Sequence, residues 1–176
     1  MRKLFLTICV TWSFVMTGMG NPVDVINDDF KKTTLVKLVI NQGADERPKS
    51  LLGEIIFTRE IKNNKPGQVE LNFKMDMSPE FNDVEKKFYL KTDVSQHEMV
   101  IQRFEREMKS QNELIGTRQR KVTRIKVILP KPVEDEMLNT NQLVIRLYVG
   151  DQQATYTVRR GQLKDIKKFI STVSVK

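Results

Sequence analysis

Residues 68–77 read Gln-Val-Glu-Leu-Asn-Phe-Lys-Met-Asp-Met, an unbroken alternation of polar and apolar side chains. Period two is the repeat of a β-strand, whose successive side chains point to opposite faces of a sheet. A helix would scatter Val69, Leu71, Phe73, Met75 and Met77 around its whole surface. The chain therefore builds a sheet with one buried and one wet face.

The same period recurs. Residues 53–62 place Ile55, Phe57 and Ile61 on one side, although Ile56 blurs the pattern. Asn63-Asn64-Lys65-Pro66-Gly67 then supplies turn formers, so these two strands form a hairpin. A second hairpin joins Leu143, Ile145, Leu147 and Val149 to Ala154, Tyr156 and Val158 through Gly150-Asp151. Glycine there tolerates the positive φ of a two-residue turn. Three more strands are expected at 34–41 (Val36, Leu38, Ile40), 84–94 (Phe88, Leu90) and 120–129 (Thr123, Ile125, Val127, Leu129).

Between 95 and 116 the spacing changes. Val100, Phe104 and Met108 recur every fourth residue, Ser95 with Glu98 fits a capping box, and Gly116 fits a helix stop. This predicts a helix; the competing reading is a long hairpin with a strand at 98–108 and a turn at 110–112. Leu163, Ile166, Phe169 and Ile170 predict a short C-terminal helix, alone or running into a last strand at 172–175. The stretch 130–136 reads as a surface connection. The expected architecture is mainly β: an antiparallel β-sandwich or small barrel of about seven strands, with one inserted helix and a short C-terminal helix. It occupies a single domain, 34–176, after a polar lead-in segment at 21–33.

The first twenty residues read as an address. Arg2 and Lys3 precede an uncharged apolar run over 4–17, and Gly18-Met19-Gly20 puts small residues at both positions that a signal peptidase reads. The run is short for a span of ~30 Å of hydrocarbon. Leu6-Thr7-Ile8-Cys9 is a poor lipid-attachment sequence, because Ile8 is bulky and few apolar residues precede Cys9. The expected product starts at Asn21 and is exported. It then lacks Cys and Trp, since the chain has one of each, at Cys9 and Trp12. The remaining chain has no disulfide and no glycosylation sequon, which points to a bacterial envelope, periplasmic or extracellular.

Chemistry is sparse. His97 is the only histidine, and a lone imidazole has no evident nucleophile to serve. No nucleotide-binding, hydrolase or cofactor motif is present, so no enzyme activity, cofactor or metal is expected. Asp76, Glu80, Asp83 and Glu85 cluster around Pro79 but lack the spacing of a calcium loop.

The positive balance is the remaining signal: the formal net charge is +8. Between 117 and 131 there are six cations and no acid. Arg118, Arg120, Arg124 and Lys126 are the candidate contacts for an anionic partner: an envelope protein, an anionic lipid or a cell-wall polymer, with at most peripheral membrane contact. Alternatively they protect an exposed sheet edge. Arg159, Arg160, Lys164, Lys167 and Lys168 form a second basic group near the C-terminus. Nucleic acid is not expected, because no stacking aromatics are interleaved with the cations. The other functional reading is a carrier of an apolar ligand such as a lipid, with Phe57, Leu71, Phe73, Met75, Phe88 and Tyr156 lining its cavity.

Overall fold

The computed structural model describes residues 23–28, 33–45, 51–113 and 116–172. Their elements are β1 (Val23–Asp28), β2 (Thr33–Gly43), β3 (Leu52–Lys62), β4 (Lys65–Met77), β5 (Tyr89–Thr92) and β6 (Gln96–Glu98). Then follow β7 (Ile101–Glu113), β8 (Gly116–Ile128), α1 (Lys131–Asn139), β9 (Leu143–Val149), β10 (Gln152–Thr157) and α2 (Arg160–Ser171). Two antiparallel sheets result, one in the order β1-β2-β3-β4-β8-β7 and one in the order β10-β9-β5-β6. The fold is mainly β and sandwich-like. The signal sequence expected at 1–20 and nearly all of the last strand expected at 172–175 lie outside the described residues.

Local chemistry sets the turns. Asn63 and Asn64 both take positive φ, 51° and 59°, the pattern of a two-residue hairpin turn whose twist matches its strands. Lys65, Pro66 and Gly67 thus belong to β4, and the ladder shifts register between Arg59 and Ile61. Gly67 sits in this bulge, where an added Cβ would come within 2.9 Å of the Glu60 carbonyl oxygen. Gly150 turns β9 into β10 with φ 57°.

The inner face of the six-stranded sheet is the alternating set itself. Val36, Leu38, Ile40, Ile55, Phe57, Leu71, Phe73, Met75, Ile125 and Val127 are all buried. The four-stranded sheet covers one part of this face, where the Phe73 ring meets Tyr156 at 5.1 Å and Phe88 at 6.0 Å. Gly53 leaves room for that cluster: a Cβ there would sit 2.8 Å from the Tyr156 ring. The helices cover another part, with Phe169 of α2 against Phe57 at 6.0 Å. A backbone crossing ties the sheets, since Asp45 N–H donates to the Thr155 carbonyl at 2.8 Å and the Asp45 carboxylate accepts from Thr157 N–H at 2.5 Å.

Several expectations change, and of the strand expected at 84–94 only Tyr89–Thr92 forms. The described residues between 95 and 113 hold no helix; they form β6 and the long strand β7, so the hairpin reading stands. A spacing of four is a multiple of two, so Val100, Phe104 and Met108 suit a strand as well as a helix. Pairing with β8 along nearly the whole of β7 decides for the strand. The β7–β8 turn falls at 114–115, outside the described residues, and 110–112 are strand. The inserted helix is α1 instead, in the stretch read as a surface connection. Pro132 stands in its first turn, Val133 and Met137 bury one turn apart, and Lys131 pairs with Asp135 at 2.8 Å. The polar lead-in contributes β1, which pairs with β2 through Val23–Asp28. With β6 and β7, this brings the described strands to ten rather than seven.

Candidate functional site

The chain's cations sort by what they touch. β8 is not an edge strand: β4 flanks it on one side and β7 on the other, so edge protection is not its task. With Ile125, Val127 and Leu129 buried, Arg124 and Lys126 stand on the outer face. Neighbouring strands bring carboxylates to both. Arg124 meets Glu107 of β7 at 2.5 Å, and Lys126 meets Glu70 of β4 at 2.8 Å. Lys109 also reaches Glu107 at 3.2 Å. The Arg124 guanidinium, helped by Lys109, holds the Glu107 carboxyl below the usual carboxylate range. Arg120 lies opposite Lys109, and its Nε is enclosed without an acceptor among the described residues. Arg118 lies at the register position opposite Gln111; its side chain lies outside what is described. Exposed pairs of this kind stabilise by only about 0.2–1 kcal/mol each. Their larger effect is to cancel the charge that an approaching anion would feel.

The acidic loop is dispersed in the same way. Asp83 meets Arg106 and Lys121, each at 3.4 Å, Glu85 meets Lys87 at 3.0 Å, and Asp76 meets Lys74 at 3.4 Å. Among the described residues, no three acidic, histidine or cysteine side chains converge into a metal-holding group.

The second basic group behaves differently. α2 buries Leu163, Ile166, Phe169 and Ile170, which turns Arg160, Lys164 and Lys168 outward in a row with one helical turn between neighbours. All three are exposed, and none has a carboxylate partner among the described residues. Arg159 and Arg160 sit at the helix N-terminus, where no acid occupies the first turn. The positive end of a helix dipole favours acids. Two arginines there add to the potential of the unpaired N–H groups rather than offsetting it, which suits an incoming anion.

One polar cluster was not visible in the sequence. The Glu136 carboxylate on α1 accepts from the Thr92 hydroxyl, from the Ser95 hydroxyl at 2.7 Å and 2.9 Å, and from His97 Nε2 at 2.9 Å. Ser95 Oγ also lies 2.6 Å from the same His97 nitrogen. Serine, histidine and glutamate together suggest a nucleophile relay, but the geometry does not make one. A relay needs the serine on one ring nitrogen and the acid on the other. Here both crowd Nε2, and the serine proton goes to the carboxylate. The arrangement is a latch that binds the β5–β6 turn to α1. Beside it, Asp93 accepts from the Thr140 hydroxyl and from Asn141 N–H at 3.1 Å.

The hydroxyls of Thr92 and Ser95, with the His97 ring, hold the Glu136 carboxyl down at about 2. A depressed acid stabilises the fold above its unfolded pKa, and that contribution is lost as pH falls through the folded value. Stability should therefore decline between about pH 4.5 and pH 2. Glu136→Gln is expected to flatten that decline and cost about 1–3 kcal/mol at neutral pH. Urea midpoints across this range test it, and an unchanged acid limb would remove Glu136 from the account. No protein-family model matches the chain, and no curated protein or solved structure matches it either.

Proposed function

We propose that the chain is an exported, non-catalytic β-domain that binds an anionic component of the cell envelope, and that the contact is the outer face of α2. The observation that carries this is the contrast in partners. Arg124 and Lys126 are matched by Glu107 and Glu70, whereas Arg160, Lys164 and Lys168 face solvent without a carboxylate among the described residues. A row of solvated cations attracts anions over about 8–10 Å at ordinary ionic strength. The apolar stripe of α2 is already buried under the sheet, so the helix is not free to insert, and contact with a lipid surface would be electrostatic and peripheral. Export rests on the N-terminal sequence. The absence of a relay at Ser95, His97 and Glu136 supports a binding role over a catalytic one.

The carrier reading has less in its favour. Phe57, Leu71, Phe73, Met75, Phe88 and Tyr156 are all buried, and Phe73 lies edge-on to both Phe88 and Tyr156. They fill the space between the sheets instead of lining an opening.

Co-sedimentation with anionic and zwitterionic vesicles, and with an anionic cell-wall polymer, tests the proposal. Arg160→Glu, Lys164→Glu and Lys168→Glu together should weaken binding to the anionic partner at least about tenfold and flatten its salt dependence. Arg120→Gln, Arg124→Gln and Lys126→Gln together should change it less than about threefold, because those charges are largely cancelled. The opposite ranking would return the contact to β8. No salt-sensitive binding by the unaltered chain would overturn the anionic reading altogether.

A further inference from the structure

β7 ends the six-stranded sheet, and among the described residues its only strand partner is β8. At 13 residues it is a long edge. Between Arg103 and Glu113 it has no proline and no register shift, so its charged side chains are what governs pairing at this edge. Arg106 holds the strand from beneath, donating to the Val84 carbonyl and reaching Asp83 at 3.4 Å. Met108, near its middle, is 55% exposed.

The charges along this edge are self-complementary in a register centred on Met108. On the outer face, positions 103, 105, 107 and 109 are Arg, Glu, Glu and Lys. Place a second copy antiparallel, with the two-fold axis through Met108 and perpendicular to the sheet. Glu107 then faces Lys109 of the other copy. Symmetry repeats that pair. In the other row Arg106 faces Ser110, position 104 faces 112, and Met108 faces itself. Like charges never stand opposite each other. An axis at Arg106 would set Glu105 against Glu107 and Arg103 against Lys109. An axis at Glu107 or Lys109 would set that residue against its own copy. Opposed like charges destabilise a strand pair, and opposite charges stabilise it.

We infer that this edge is a homodimer interface: two copies join β7 to β7 around Met108, so that the two six-stranded sheets run on as one. The inference is independent of the anionic contact on α2, since it uses none of the same residues. A perpendicular two-fold keeps both outer faces on the same side of the joined sheet. The occupant is a second copy because the edge carries its own complement. An unrelated strand would have to supply that charge sequence separately.

The full chain carrying Cys9→Ser provides a thiol-free background, as Cys9 is the only cysteine. In it, Met108→Cys should form a disulfide-linked dimer under mild oxidation, because directly opposed residues have Cα atoms about 4.5–5.5 Å apart, within disulfide reach. Ser110→Cys should not, because its own copy lies four residues along, roughly 13 Å away. Sedimentation should show a concentration-dependent dimer. Lys109→Glu should weaken it at least about tenfold, and adding Glu107→Lys should restore it to within about threefold, since the swapped pair is again complementary. Circular dichroism checks that each variant folds. A monomer at every concentration, equal cross-linking at 108 and 110, or no rescue by the charge swap would overturn the inference.

Discussion

Phe73→Ala is expected to cost about 3–5 kcal/mol, whereas Asn72→Ala, one residue away, should stay within about 0.5 kcal/mol. Phe73 is 1% exposed. Its ring sits between Tyr156 and Phe88, in space kept open by the missing side chain of Gly53. Truncation removes two aromatic contacts and leaves a cavity that two sheets and a glycine cannot readily close. Asn72 stands on the wet face opposite Lys126. Denaturant unfolding of the two variants measures the difference, and equal costs would mean that the facing of β4 is wrong.

The second large effect is expected at Glu134. Arg59 and Glu134 meet at 2.5 Å with side chains only 5% and 4% exposed. Arg59 also donates to the Ile170 carbonyl at 2.7 Å, and Glu134 accepts from Val69 N–H at 3.2 Å. The pair thus joins β3, β4, α1 and the end of α2. Glu134→Ala leaves a buried guanidinium without its countercharge and should cost about 3–5 kcal/mol. Replacing both residues, Arg59→Met with Glu134→Met, should recover most of that loss, because a well-packed apolar pair avoids the desolvation of two ions. Thermal unfolding of the two singles and the double reads the coupling. A single variant within about 1 kcal/mol of the parent would show that the charge is not confined.

Strands were legible wherever one face is apolar at period two, as in β2, β4 and β9, and most clearly in β4, whose other face is polar throughout 68–76. Arg59 carried a readable signal as well: it falls in phase with Ile55, Phe57 and Ile61, so a charge was due on the buried face. Its partner was not readable, because Glu134 lies among acids that look solvated until α1 forms. β7 was ambiguous because its apolar spacing satisfies two periods, and only the ladder with β8 separates them. The outer-face charges show the same limit. The acid-free run of β8 looks strongly basic along the chain, but Glu107 and Glu70 reach it from strands 17 and more residues away. Glu136 collects donors from 39–44 residues earlier, a convergence that no local pattern encodes.

The reach of these contacts bears on how the chain is delivered. Any chain emerges N-terminus first, whether from a ribosome or through a membrane. β2, β3 and β4 arrive early and pair in sequence order, so they can assemble promptly. The groups that cover their inner face come far later. Arg59 waits 75 residues for Glu134 and 111 for Ile170, while Gln42 waits 115 for the Thr157 carbonyl. Until α1 and α2 have emerged, a three-stranded apolar surface with an unmatched arginine stands uncovered. Closure from distant segments is slow, and exposed apolar strands are prone to aggregate in the interval. In a chain arranged this way α2 finishes the core, so its arrival marks the end of that vulnerable interval.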